Sequence, residues 1–170
     1  MKSILISLFC LLYFSAFSQD SNDLPERKGF TLTMPVDKKH EYTDSIKPTP
    51  FIVHADIVQI YPGESIYLEV EQTDGVIRSM KTVRENKYPD KTISISFKQL
   101  EEGHVHQSMM LKINNPFKKE LVYSARMFLM KSHAWADTDV LPIQPGLFSY
   151  ENWPEVIVTI ALYGWKIKNN

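Results

Sequence analysis

Three sets of side chains in this sequence have types and spacings that chemistry could use. His104 and His106 are two residues apart, so on a strand they share a face. Met110 has the same parity, and Met127, Met130 and His133 fall at the end of the next apolar stretch. Imidazole and thioether ligands together suit copper. Met127 and Met130 differ in parity, so only one of them could join, and no third ligand stands at ligand spacing. The plainer reading makes Gly103-His104 a turn and the methionines core filler. The second set is aromatic: Phe148, Tyr150 and Trp153 in one loop and Trp135 in another. Exposed rings on loops could stack on sugars or form a contact patch for a partner, with Tyr150 and Trp153 the candidates. Rings are equally good core material, and Trp153-Pro154 has the look of a plug at a strand entrance.

The third set is acid–base chemistry, and it is sparse. Glu101 and Glu102 are adjacent and diverge in an extended segment. Asp137 and Asp139 flank Thr138 without the further acidic positions of a calcium loop. No serine sits in a nucleophile elbow, no HExxH occurs, and the 6 glycines are scattered rather than gathered into a phosphate cradle. No catalytic residue and no cofactor is therefore assigned from the sequence. Copper held by His104 and His106 stands as the alternative.

The compartment bears on that chemistry. Lys2 precedes an apolar run from Ile4 to Phe17, followed by Ala16-Phe17-Ser18 before Gln19. A charged start, a short apolar stretch and a small-x-small site are the layout of a secretory signal peptide over residues 1–18. The run falls short of the roughly 17 residues that span a bilayer, and no later stretch predicts a transmembrane span. Export to the periplasm or beyond is the expectation. Phe9 before Cys10, and the apolar residues after it, do not suit a lipoprotein signal. Cys10 is the chain's only cysteine, so cleavage leaves no disulfide and no thiolate chemistry. Such a domain must be held by apolar burial alone, which suits a bacterial envelope. Formal net charge is −1, with 19 basic and 20 acidic residues in no long block, so nucleic acid is a poor partner. A hydrophobic share of 44% places the chain among globular proteins rather than disordered ones.

Residues 19–50 read as a polar, extended arm or linker, bounded by Pro48 and Pro50, with GFTLTMP able to form one short strand. From residue 51 to 170 the texture is that of strands. ESIYLEVEQ alternates Ile66, Leu68 and Val70 with polar neighbours, and TISISF alternates Ile93, Ile95 and Phe97 with hydroxyl side chains. Thr73-Asp74-Gly75 is a hairpin signal. FIVHADIVQIY, VIRSMKTVR, VHQSMMLKI, LVYSARMFLMK and TDVLPIQ are read as further strands, and PGLFSYENWP as a loop. The last strand, EVIVTIALYGWKI, is apolar on both faces and is expected to lie centrally, with Phe148, Tyr150 and Trp153 covering its second side. No amphipathic helix competes. About seven or eight antiparallel strands predict an all-β, immunoglobulin-like sandwich.

Two stretches carry a resemblance. One is Met110-Leu111-Lys112-Ile113-Asn114-Asn115-Pro116-Phe117, continuing through Leu121, Tyr123, Ala125 and Met127. The other is Pro142-Ile143-Gln144-Pro145-Gly146 with Glu151-x-Trp153-Pro154 before the last strand. Together they are similar to a group of uncharacterised small secreted bacterial β-sandwich proteins. That resemblance implies an exported β domain and brings no catalytic residue. From the residues themselves, Asn115-Pro116 makes a turn, Tyr123 is buried with a hydroxyl in need of a partner, and Glu151 is placed to accept backbone donors. The expected function is a non-enzymatic binding or accessory module of the cell envelope, with an envelope protein as partner. Copper binding through His104 and His106, and carbohydrate binding through Tyr150 and Trp153, are the alternatives.

Overall fold

Period-two alternation leaves each strand one wet and one apolar face, and two such faces bury each other. The computed structural model of the chain describes residues 22–168, and there every regular element is a strand. The expected signal peptide and Cys10 lie outside the described residues. The N-terminal part forms β1 (Glu26–Arg27), β2 (Phe30–Pro35), β3 (Glu41–Ile46) and β4 (Thr49–Pro50). Then come β5 (Ile52–His54), β6 (Ile57–Ile60), β7 (Ser65–Thr73), β8 (Val76–Val83), β9 (Thr92–Glu102) and β10 (Val105–Asn114). The remainder forms β11 (Leu121–Leu129), β12 (Ala134–Thr138), β13 (Phe148–Trp153) and β14 (Ile157–Ile167).

Two five-stranded antiparallel sheets make the sandwich. The first has the order β13-β10-β9-β7-β8, and the second β12-β11-β14-β6-β5. The first sheet turns Ile66, Leu68, Ile93, Ile95, Phe97, Met109, Leu111 and Ile113 inward. The second meets them with Val58, Ile60, Leu121, Ala125, Ile160 and Leu162, and these side chains are almost wholly buried. Each is worth roughly 1.5–3 kcal/mol in apolar transfer for the larger side chains. With one cysteine in the sequence no internal disulfide contributes. No helix of the described residues is long and apolar enough to cross a membrane.

Ten strands in two sheets exceed the seven or eight expected: two segments fold differently, and β12 forms at Ala134–Thr138, of which only Thr138 lies in an expected strand. FIVHADIVQIY is not one strand: it folds back at Ala55-Asp56, where Ala55 takes φ 45°, into the β5–β6 hairpin. The Asp56 carboxylate there accepts the Gly164 amide at 3.0 Å, which holds the turn against β14. PGLFSYENWP is not a loop either, because its second half pairs with β10 from Asn114↔Phe148 to Met109↔Trp153. Conversely, TDVLPIQ leaves the ladder. Its Thr138 ends β12, and beyond that only Ile143 keeps a bridge, to Leu121; Pro142 has no N–H to offer a neighbour. β14 lies centrally as expected, between β11 and β6. The rings of Phe148, Tyr150 and Trp153 do not cover it, for they belong to β13 at the edge of the other sheet.

Residues 22–50 are strand-forming and pinned to the sandwich. β2 and β3 form a hairpin whose Leu32, Met34 and Ile46 join the core. Arg27 is the pin. Its Nε donates to Glu64 Oε1 at 2.8 Å, Nη1 to Thr49 Oγ1 at 2.6 Å and to Pro50 O at 3.2 Å, and Nη2 to Gln59 O at 2.6 Å. The guanidinium also lies 4.6 Å from the Phe51 ring centroid and 5.1 Å from that of Tyr61.

A second pin sets the start of β13. Asn115, 1% exposed, donates its amide to Lys119 O and Ile143 O, both at 2.8 Å, and accepts from the Phe117 amide. Its backbone exchanges hydrogen bonds with Leu147 and Gly146. Glu151 Oε1 accepts the Leu141 amide at 3.2 Å and the Ser149 hydroxyl at 3.0 Å, so the segment before β13 is tied at both ends. Tyr123 is buried and stacks on Trp165 at 5.2 Å. Its hydroxyl and the Trp165 indole N–H have no hydrogen-bond partner among the described residues. Burial, then the charge of nearby Glu151, pushes the Tyr123 phenol well above the usual tyrosine range.

Candidate functional site

The outer face of the first sheet carries the strongest convergence of recognition groups. Strand register lays two rows across it. One row runs Tyr150, Lys112, Ser96, Ser65, and the next runs Phe148, Asn114, Ser94, Tyr67. All have the parity opposite to the core residues of their strands, so all point outward. Serine is the smallest of them, and a serine floor between larger side chains makes a trough of about 330 Å³. Tyr67 stands on one side and Phe148 on the other, three strand spacings or roughly 14 Å apart at the backbone. Tyr67 is 37% exposed, Phe148 50% and Tyr150 54%.

Lys112 rises from the floor toward Phe148 and Tyr150. Its Nζ lies 4.4 Å from the Phe148 centroid and 5.3 Å from that of Tyr150. No carboxylate of the described residues pairs with it. A ring attracts an ammonium through its quadrupole, worth about 0.5–1 kcal/mol at an exposed site, and takes none of its N–H donors. Lys112 is therefore positioned without being neutralised. Beside it, Asn114 Oδ1 accepts the Ser94 hydroxyl at 2.9 Å and the Ser94 amide, which fixes that side chain across the floor.

The two aromatic candidates from the sequence part company. Tyr150 is on the exposed face. Trp153, three residues on, points inward at 9% exposure and donates its indole N–H to Thr138 Oγ1 at 2.9 Å, linking the two sheets. It is unavailable to a stacked ligand. Sequence reading did not select Tyr67, Lys112, Ser94 or Ser96. The outward parity of Tyr67, Ser94 and Ser96 is visible in ESIYLEVEQ and TISISF, but their adjacency to Lys112 depends on register across three strands.

The structure does not bring the metal candidates together. His104 occupies the β9–β10 turn with φ 60°, after Gly103 with φ 56°, and is exposed. A bulge between His106 and Ser108 then reverses the parity of β10. His106 pairs with Glu101, on the Phe97 side of β9, whereas Met110 pairs with Lys98 on the outer side. Both His106 nitrogens are engaged. Gln99 Nε2 lies 2.8 Å from Nδ1 and also donates to Pro35 O at 2.7 Å, while His106 Nε2 lies 2.9 Å from Pro154 O. An amide donor on Nδ1 and a carbonyl on Nε2 specify the neutral Nε2–H tautomer. Met127 is core, at 6% exposure, in the other sheet. Among the described residues no three His, Cys, Asp or Glu side chains gather to hold a metal.

Two other concavities each hold a cation that is already met by a carboxylate. One, about 840 Å³, follows the N-terminal segment around Arg27, whose guanidinium already makes the four hydrogen bonds described above. The other, about 550 Å³, lies on the outer face of the second sheet, with Ala161 as floor and Trp135 and Tyr163 as walls. There Arg126 Nε is held by Asp137 at 2.8 Å, and Trp135 leans edge-on against Phe128 at 5.5 Å. Comparison of the chain with family models, with curated proteins and with solved structures returned no match.

Proposed function

We propose that this chain is an exported, non-enzymatic binding module of the bacterial cell envelope, built on an immunoglobulin-like sandwich, and that its ligand is a carbohydrate. The leader over residues 1–18 and the resemblance to small secreted β-sandwich proteins support export. One observation carries the ligand: the Tyr67 ring and the ring-held Lys112 face each other across a floor of Ser65, Ser94 and Ser96. A sugar has an apolar C–H face that suits a ring and a rim of hydroxyls that suits serine, asparagine and an ammonium. Native affinity electrophoresis through gels containing polysaccharides tests this. The protein is expected to be retarded by at least one polymer, with Tyr67→Ala binding at least tenfold more weakly. Free migration in every neutral and acidic polymer would sink the reading.

A protein partner is the second reading. Leu147, 57% exposed, directly precedes Phe148, and Leu141, 72% exposed, is held to β13 through Glu151, so both add exposed apolar surface near that strand. Leu147→Ser with Leu141→Ser should then abolish capture of an envelope protein while leaving polysaccharide retardation intact.

A further inference from the structure

We infer that the trough takes an acidic polysaccharide, one whose sugar rings bear carboxylates; this rests on the carbohydrate reading and narrows it. The observation is the charge state of the wall. Lys112 is half-buried, yet its contacts are two rings rather than a carboxylate. A lysine on a protein surface ordinarily reaches water or an acid. Here Phe148 and Tyr150 hold it over the floor with its positive charge unbalanced and its donors unspent. The outward neighbours in its two rows are Ser96, Ser65, Asn114, Ser94 and Tyr67, all uncharged at neutral pH. A neutral sugar would leave that charge uncompensated. A uronate seated with its ring toward Tyr67 would place a carboxylate on the ammonium and its hydroxyls on the serines.

Charge complementarity alone would also admit an acidic peptide. The floor argues for sugar. Three serines and an asparagine present a wet, hydroxyl-rich base, and Asn114 is already fixed by Ser94 rather than set to read a peptide backbone. The trough also lies on the face of the sheet, with β10, β9 and β7 each paired on both sides, so no strand edge is open within it for an extended peptide to join.

Isothermal titration of the protein with polygalacturonate, alginate and hyaluronate oligomers, and with dextran and laminarin oligomers, tests the inference. The methyl esters of the same galacturonate oligomers isolate the carboxylate on an unaltered protein. At least one acid series is expected to bind, and esterification to weaken it tenfold or more. Lys112→Met should cost the acid a similar factor and any neutral sugar much less, while Lys112→Arg should retain most of the binding. Acid affinity should fall severalfold between 50 and 500 mM salt. Equal binding of acid and ester, or indifference to Lys112→Met, overturns the acidic class while leaving the carbohydrate reading in place. No binding to any oligomer overturns both. Poly-glutamate binding as tightly as the acidic sugars, with the same Lys112 dependence, overturns the inference in favour of an acidic protein segment.

Discussion

Arg27 and Lys112 are both cations set against two aromatic rings, and they do opposite things. Arg27 lies 4.6 and 5.1 Å from the centroids of Phe51 and Tyr61, and Lys112 lies 4.4 and 5.3 Å from those of Phe148 and Tyr150. The ring contacts are nearly the same. What differs is everything else around the charge. Arg27 is 3% exposed, its charge is met by Glu64, and four hydrogen bonds take four of its five N–H donors. Lys112 has no carboxylate partner and a solvent-facing trough in front of it. A cation whose charge is met inside the protein fastens a chain segment; an unmatched one in a similar setting is left open to a ligand. Ring contact by itself does not tell the two apart, whereas the count of remaining donors and counter-charges does.

The sharpest way to break that contrast is to remove each cation in turn. Arg27→Met leaves the Glu64 carboxylate, 14% exposed, without its counter-ion and removes the guanidinium hydrogen bonds to Thr49, Pro50 and Gln59. Breaking a buried pair from one side costs roughly 3–5 kcal/mol. Urea denaturation should show a loss of that order, with polysaccharide binding intact in the protein that remains folded. Lys112→Met should do the reverse: stability within about 1 kcal/mol of the parent, acid binding lost. A large loss of stability in Lys112→Met, or a negligible one in Arg27→Met, would erase the distinction.

A double substitution sharpens the same point. Most of the Arg27→Met cost is assigned to a stranded carboxylate, so Arg27→Met with Glu64→Gln should be less destabilised than Arg27→Met alone. The recovery should be about 1–2 kcal/mol, since a neutral amide costs less to bury than an unpaired charge. Glu64 also accepts the Tyr61 amide at 2.8 Å, and glutamine can keep that bond through its carbonyl. If the double variant is no more stable than Arg27→Met, the pin works through packing on Phe51 and Tyr61 rather than through charge.

Next in size is Phe148→Ala. It removes one of the two rings behind Lys112 but leaves Tyr150 and the charge itself. About 0.5–1 kcal/mol of stability should go with the cation–π contact. Acid binding should weaken severalfold, by less than in Lys112→Met, because the ammonium remains but is less well placed. A loss equal to that of Lys112→Met would mean that Phe148 itself holds the ligand.

Much of this was legible from local pattern, and the illegible parts share one cause. Alternation in ESIYLEVEQ and TISISF and the turn at Asp74-Gly75 are properties of a few adjacent residues, and the strands formed there. The turn at Asn115-Pro116 is equally local. Arg27 could not be recognised as a pin, because its partners lie at 49, 50, 59 and 64 and meet it only after folding. The fold-back at Ala55-Asp56 carries neither glycine nor proline; its anchor is Gly164, far along the chain. The bulge beside Gln107 has no sequence mark either, and one extra residue was enough to move His106 away from the face of Met110. Lys112 and Tyr67 belong to one trough only because β10, β9 and β7 pair in one register. Pattern gives each strand its faces, and pairing decides which side chains become neighbours.

The smallest effect tests whether the contrast extends to a third cation. Arg126 lies in the groove of the second sheet beside Trp135 and Tyr163, so on residue types alone it resembles Lys112. Its Nε, however, is held by Asp137 at 2.8 Å, with side chains 47% and 76% exposed. Exposed pairs contribute about 0–1 kcal/mol, screened by salt. Arg126→Ala should therefore shift the urea midpoint barely, and the shift should vanish in high salt. Because its charge is already matched, the same substitution should leave acidic-polysaccharide affinity unchanged in titration. Weakened binding in Arg126→Ala would mean that Asp137 does not neutralise it toward a ligand. The rule that an unmatched charge marks the binding face would then fail at a groove of the second sheet where the residue types alone favour another site.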